Sequence, residues 1–385
     1  MSFRALAVAA ALTAASSCAS APPARAPFAP VSISFERGRQ GHIVVPVTVD
    51  GVAGFAVLDN GASTSVINRE FAVERKLAHG AIVRTMIKTM TSGFELGQPA
   101  EISVGGINER VTPLLLDLEP LSDVSGRDLL GIIGEEFFER HVVEVDFVHR
   151  RLTLHDRRSF VPPADLPAIP LKSRTTAKTR IPVVVEGESG HEITFDLGSS
   201  AYALIDPGGL ADRMMADGRP SIPSASGIVV RGEFERAEGR TMSAREVAFA
   251  GFTLSDIPVD MTQKGFVAPS DMSLGVGALS RFDLIFDVGG KRMWMRPNAS
   301  YGEPFPHPVV GVNFRLGSMD GELDVAGVVP GAPAERAGLK KGDVIVRVGG
   351  DEARLAAFSD VKAGDVLEVE LKDGSKREIR AQRFF

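Results

Sequence analysis

The chain has 385 residues, 44% of them hydrophobic and 24% charged, with 40 Gly and 24 Pro, the composition of a globular protein rich in turns. A net charge of -6 without any dense Lys/Arg stripe argues against a nucleic-acid partner, because phosphate recognition needs clustered positive charge. The single Cys leaves no intrachain disulfide to form.

Residues 1–17 read as an export signal, with Arg4 as the charged start and residues 5–15 as an apolar stretch too short to span a bilayer. The segment ends in Ala15-Ser16-Ser17-Cys18, which resembles a bacterial lipobox, where the Cys is acylated and becomes the new N-terminus. Ala15 stands where Leu or Val is usual. The competing reading is ordinary cleavage at Ala19-Ser20-Ala21, with Pro22 unfavourable just beyond it. Both readings predict an exported, periplasmic protein, and the first adds a membrane anchor. Residues 18–35 then read as a stiff Pro/Ala-rich linker.

Residues 36–160 form the first predicted lobe. Apolar alternation on either side of Asp50-Gly51 predicts a β-hairpin over residues 42–59, which runs out at Asp59-Asn60-Gly61-Ala62. Asn68 is placed to cap a short helix within residues 69–78. Residues 83–106 predict a second hairpin with Ser92-Gly93 near its tip. A block at 131–154 then combines the apolar turn Ile132-Ile133-Gly134, a short helical stretch and two β-rich runs, with Asp146 following Gly134. Residues 160–170 are a Pro-rich linker.

Residues 171–297 repeat this plan. A hairpin over 180–196, with turn residues around 187–190, runs out at Asp196-Leu197-Gly198-Ser199. Residues 227–251 predict another hairpin, more charged than its counterpart. The matched later block holds Ser273-Leu274-Gly275, and Asp287 follows Gly275 at the spacing by which Asp146 follows Gly134. Two copies of one supersecondary plan predict two similar lobes.

Over residues 38–297 both halves resemble lobes of the pepsin and retropepsin group of aspartic proteases. The resemblance implies a mostly β protein with two β-barrel lobes, each giving one catalytic carboxylate, Asp59 and Asp196. It places Gly61, Gly198 and the later apolar-Gly turns behind them and leaves Asp146 and Asp287 structural. It makes the hairpin at 83–106 a flap over substrate, with Gly93 and Phe94 as flap candidates; Phe94 reads equally as a packed or exposed loop aromatic. Ala62 resembles the retroviral version of the turn and Ser199 the pepsin version, whose hydroxyl supports the carboxylate. The chain departs from the group at Asn60 and Leu197, where active members carry Thr or Ser that hydrogen-bond across to the partner turn. Asn60 retains a donor and an acceptor, and Leu197 has neither.

After a Pro-rich break at 297–308, residues 308–385 resemble a small α+β PDZ domain of the kind attached to periplasmic proteases. Residues 333–337 predict a short helix that Gly338 stops, Gly342-Asp343 turns into a strand, and residues 355–361 offer a longer helix beside the groove. By resemblance, Val310, Gly311 and Val312 form the loop that receives a peptide C-terminus, the peptide adding as a β-strand.

Other chemistries find little footing. The seven His are scattered, without H-E-x-x-H or a Cys pair, so no metal is expected. There is no G-x-S-x-G, and Gly275-Val276-Gly277 lacks the third Gly of a dinucleotide loop, so no cofactor is expected. The resemblance therefore implies an aspartic endopeptidase acting on polypeptides in the cell envelope, its PDZ domain recruiting substrate or regulating access. The alternative is a catalytically inactive peptide-binding scaffold, for which Asn60 and Leu197 are the sequence argument.

Overall fold

Strands form where alternation predicts them. The computed structural model describes residues 27–87, 90–172, 180–205, 209–219, 221–230, 233–262, 272–315, 318, 321–359 and 361–384. The export segment and Cys18 lie outside these residues. Ile43–Val49 and Val52–Leu58 pair antiparallel about Asp50-Gly51, whose φ angles of 44° and 79° suit a two-residue hairpin turn. In the second half Arg180–Val185 pairs with Glu188–Phe195 about Glu186-Gly187, with φ angles of 52° and 83°. The expected turn at 187–190 thus narrows and moves one residue earlier.

A ten-stranded sheet builds the first lobe and a seven-stranded sheet the second. Their four central strands follow the same order. In the first they are Val52–Leu58, Leu129–Ile133, Val66–Asn68 and Leu114–Leu116; in the second, Glu188–Phe195, Met272–Leu274, Ala203–Ile205 and Phe252–Thr262. Each set runs parallel, antiparallel, parallel. The repeat in sequence is therefore a repeat in topology.

A six-stranded sheet joins the halves. Its order is Val31–Ser34, Arg151–Asp156, His141–Asp146, Phe282–Asp287, Arg292–Pro297 and Ile169–Pro170. The seam is antiparallel, with Val143 opposite Phe286 and Val145 opposite Leu284. One continuous apolar core runs through both lobes and this sheet, from Ile43 and Phe138 to Phe195 and Phe282. Asp287 is buried at a strand end and held by Arg157 and Arg292 at 2.9 Å each, while Asp146 takes His149 and Arg151, the structural placement expected of both. Trp294 is buried in the joining sheet.

Several boundaries move. The linker expected at 18–35 gives way to a strand at Val31, because Val31–Ser34 finds its partner in Arg151–Asp156. Asn68 caps its helix through Oδ1, which accepts from Glu70 N at 2.9 Å, but the helix is only Arg69–Glu74. The hairpin expected at 83–106 comprises Ala78–Ile87 and Met90–Gly97, and residues 88–89 lie outside the described residues. Gly93 and Phe94 pair with Arg84 and Val83 within the strands, so Ser92-Gly93 is not the tip. Gln98-Pro99 ends that strand, because Pro cannot continue the ladder. The hairpin expected at 227–251, Ser221–Val230 with Glu233–Phe249, starts earlier than expected.

The C-terminal unit has its own sheet, Val312–Phe314, Leu323–Val328, Val344–Val348, Val366–Leu371 and Lys376–Arg380, and its own core around Leu323, Ile345 and Val369. Its short helix Pro333–Arg336 stops before Gly338, whose φ is 85°. The longer helix expected at 355–361 is only Ala356–Ser359, closed by i to i+3 bonds from Ala357 and Phe358 to Arg354 and Leu355.

The fold carries an acid-sensitive group. His42 is buried ahead of Ile43–Val49, its Nδ1 without a hydrogen-bond partner among the described residues, and burial with the nearby Arg37 charge pushes its pKa down from 6.5 to about 4. It is neutral when folded and takes up a proton on unfolding, so its stabilising contribution is full above pH 6.5 and lost as pH falls toward 4. Unfolding free energies across this window should show a slope of up to about 1.4 kcal/mol per pH unit from this residue. His42→Gln should flatten that part of the curve; parallel curves would contradict the assignment.

Candidate functional site

Each sheet delivers one Asp at the end of a central strand. Asp59 follows Val52–Leu58 and Asp196 follows Glu188–Phe195, and both are half-buried. The turns behind them match. Asp59 N donates to Ile133 O and Asp196 N to Leu274 O, each at 2.9 Å; Glu135 N donates to Ala62 O and Val276 N to Ser199 O, each at 2.7 Å. The later apolar-Gly turns thus hold both Asp turns from behind.

Topology brings the two carboxyl groups together. A Cβ placed on Gly61 would stand 2.6 Å from Asp59 Oδ1 and 2.5 Å from Asp196 Oδ1, so those oxygens are no farther apart than the two lengths laid end to end. A Cβ on Gly198 would stand 2.1 Å from Asp59 Cγ. Each glycine therefore leaves the space in which the opposite carboxyl group lies, which no other residue could do. Asp59 Oδ1 accepts from Gly61 N at 2.6 Å and Ala62 N at 3.0 Å, and Asp196 Oδ1 accepts from Gly198 N at 3.0 Å. These bonds fix one oxygen of each group toward its own turn.

The crossing between turns falls to one side chain. Asn60 Nδ2 donates to Phe195 O at 2.9 Å and Asn60 Oδ1 accepts from Leu197 N at 2.7 Å, both buried. Asn60 is 1% exposed. Leu197, without polar atoms in its side chain, packs fully buried in the main core. An amide can give and take at once, so the single Asn60 supplies both cross-lobe bonds where a hydroxyl on each turn would supply one apiece.

Two supporting residues escaped the sequence reading. Ser65 Oγ accepts from Gly134 N at 2.9 Å, and Glu136 Oε1 accepts from Ser65 N at 2.7 Å, tying the first Asp turn to the helix Glu135–Arg140. The signal was a polar Ser65 opening the apolar strand Val66–Asn68. The hydroxyl of Ser199 lies beside Gly275, 2.9 Å from where a Cβ there would stand. Gly93 and Phe94 are strand positions within Met90–Gly97. Among the described residues no cluster of three or more His, Cys, Asp or Glu is placed to hold a metal ion.

In the C-terminal unit Val310 is buried, Gly311 has a φ of 78°, and Val312 begins a strand paired on one side only among the described residues. The chain's own end lies against this loop. Gln382 N donates to Val309 O at 2.9 Å, and Phe384 packs with Ile222, Val329 and Ala332, its ring 3.1 Å from a Cβ placed on Gly311. Arg383 pairs with Asp256 of the second lobe at 2.9 Å, and Asn313 Nδ2 donates to Pro223 O at 3.3 Å. The loop thus sits where the C-terminal unit meets the second lobe.

Removing the Asn60 amide would take away two buried hydrogen bonds to backbone atoms of the second lobe, at about 1–3 kcal/mol each. Asn60→Ala should lower the denaturant midpoint accordingly, and Gly198→Ala should do worse because the added methyl collides with Asp59. A midpoint unchanged in Asn60→Ala would show that the clasp carries no stability.

No curated protein matches the chain. A PDZ domain is found at residues 325–367, within the C-terminal sheet. PDZ domains bind peptide C-termini or internal strands, so this end of the chain is a protein-interaction or regulatory module whose partner is a polypeptide.

Proposed function

We propose that the chain is an aspartic endopeptidase of the pepsin and retropepsin type, cleaving polypeptides in the cell envelope through Asp59 and Asp196. The observation that carries this reading is the approach of the two carboxyl groups over Gly61 and Gly198, one from each half of a duplicated topology. Hydrolysis by such a pair uses one carboxylate as base and one carboxyl group as acid. The ionised member takes a proton from water, whose oxygen attacks the peptide carbonyl carbon. The protonated member gives its proton to the carbonyl oxygen. As the tetrahedral diol collapses the C–N bond breaks, the Asp that took the water proton gives it to the leaving nitrogen, and a diol hydroxyl gives its proton to the other Asp as the new carbonyl forms, restoring one shared proton. Which Asp begins as base belongs to the pair rather than to either residue.

The PDZ domain, in this proposal, recruits substrate or regulates access, and the contacts of Arg383 and Phe384 with the second lobe give it a route to the protease body. The export segment and Cys18 support a periplasmic location with a lipid anchor. A second reading, a catalytically inactive peptide-binding scaffold, is favoured by Leu197, which no Thr or Ser hydroxyl replaces on the second turn.

The test is cleavage of an unfolded protein by the purified chain. Asp59→Asn and Asp196→Asn should each lower the rate by at least about 10²–10⁴-fold, the usual worth of acid-base catalysis. Peptide binding without turnover in the unmodified chain would establish the scaffold, and undiminished cleavage in either variant would rule out this dyad.

A further inference from the structure

Strand register lines up a row of side chains beside each dyad Asp. On the first lobe Val57 pairs with Ile132, Ile132 with Val66, and Val66 with Leu114. On the second, the equivalent strands pair Thr194 with Ser273, Ser273 with Leu204, and Leu204 with Asp260. Val57 and Thr194 stand two residues before Asp59 and Asp196, so each row shares the face of its carboxylate. The intervening Leu58 and Phe195 enter the main core instead.

The two rows differ in chemistry. The first is apolar throughout and forms its own cluster, in which Val57, Val66 and Ile132 are buried and Leu114 half-buried. The second has three polar side chains in the same four places. Ser273 is 2% exposed and its Oγ has no hydrogen-bond partner among the described residues. Asp260 is half-buried and accepts from the Thr241 hydroxyl of the neighbouring strand. Burial pushes its pKa up, and the Thr241 bond pulls it back. No basic side chain pairs with it among the described residues. An acid kept in such a place without a cation is costly.

We propose, resting on the peptidase reading above, that the second-lobe row is a subsite for a basic, hydrogen-bond-donating side chain and the first-lobe row one for an apolar side chain, with Asp260 as the specificity determinant. A lysine or arginine of the substrate would pair with the Asp260 carboxylate and bring donors toward the acceptor left open at Ser273. Substrates would then carry an apolar residue on one side of the scissile bond and a basic residue on the other.

The test reads binding, so that it separates from catalysis. Peptides in which a reduced amide replaces the scissile bond are titrated calorimetrically into the full chain, with Leu-Leu, Leu-Lys and Lys-Leu at the central pair. One lysine peptide should bind about tenfold or more tighter than Leu-Leu, the usual worth of a hydrogen bond to a charged group. Asp260→Asn keeps an acceptor for Thr241 and should abolish the preference. The comparison among peptides stands on the unmodified chain even if that variant folds poorly. Equal binding of the three peptides, no binding, or a lysine preference that persists in Asp260→Asn overturns the proposal. A lysine preference in a chain that cleaves nothing supports the subsite and removes the peptidase reading instead.

Discussion

The amide of Asn60 is the constraint on which the site depends. Two carboxyl groups from separate lobes lie together only if the turns that carry them are held in register. Two buried hydrogen bonds, to Phe195 O and from Leu197 N, provide that hold. Both act on backbone atoms immediately beside Asp196, so a small shift between lobes would break them before it moved the carboxyl group far. Burial raises their worth, because a hydrogen bond made away from water is electrostatically stronger. Leu197 can then be apolar, and its side chain adds to the core rather than to the clasp.

This local hold is backed by the six-stranded sheet. Its seam strands, His141–Asp146 and Phe282–Asp287, follow directly from the helices behind the two Asp turns, so the same segments support the turns and join the lobes. The continuous core across the seam makes relative movement of the lobes costly. Duplication gives the two halves one topology, yet it leaves each free in side-chain chemistry, as the apolar row at Val57 and the polar row at Thr194 illustrate.

Much of this was legible in sequence where the cause is local. Asp50-Gly51 forces a hairpin turn, Asn68 caps a helix, and the repeated Asp-x-Gly turns fall where the apolar strands end. What was not legible depends on distant partners. Val31–Ser34 looks like the end of a Pro/Ala spacer because the strand it needs is Arg151–Asp156. Asn60 reads only as a departure that retains a donor and an acceptor until the backbone of Phe195 and Leu197 is placed opposite both ends of its amide. The mismatch of Ser273 and Asp260 with Ile132 and Leu114 appears only through register, since no short-range pattern brings those residues side by side. The PDZ unit was plain because its turns and short helix are contiguous in the sequence.

The central claim is that Asp59 and Asp196 act as one group. The most direct measurement is the affinity of a peptide in which a secondary alcohol replaces the scissile carbonyl, a mimic of the tetrahedral diol that only a paired site should favour. The account predicts binding at least about 10²-fold tighter than the reduced-amide peptide, with the advantage lost equally in Asp59→Asn, Asp196→Asn and the double variant. An advantage that survives in either single variant, or none in the unmodified chain, would contradict it.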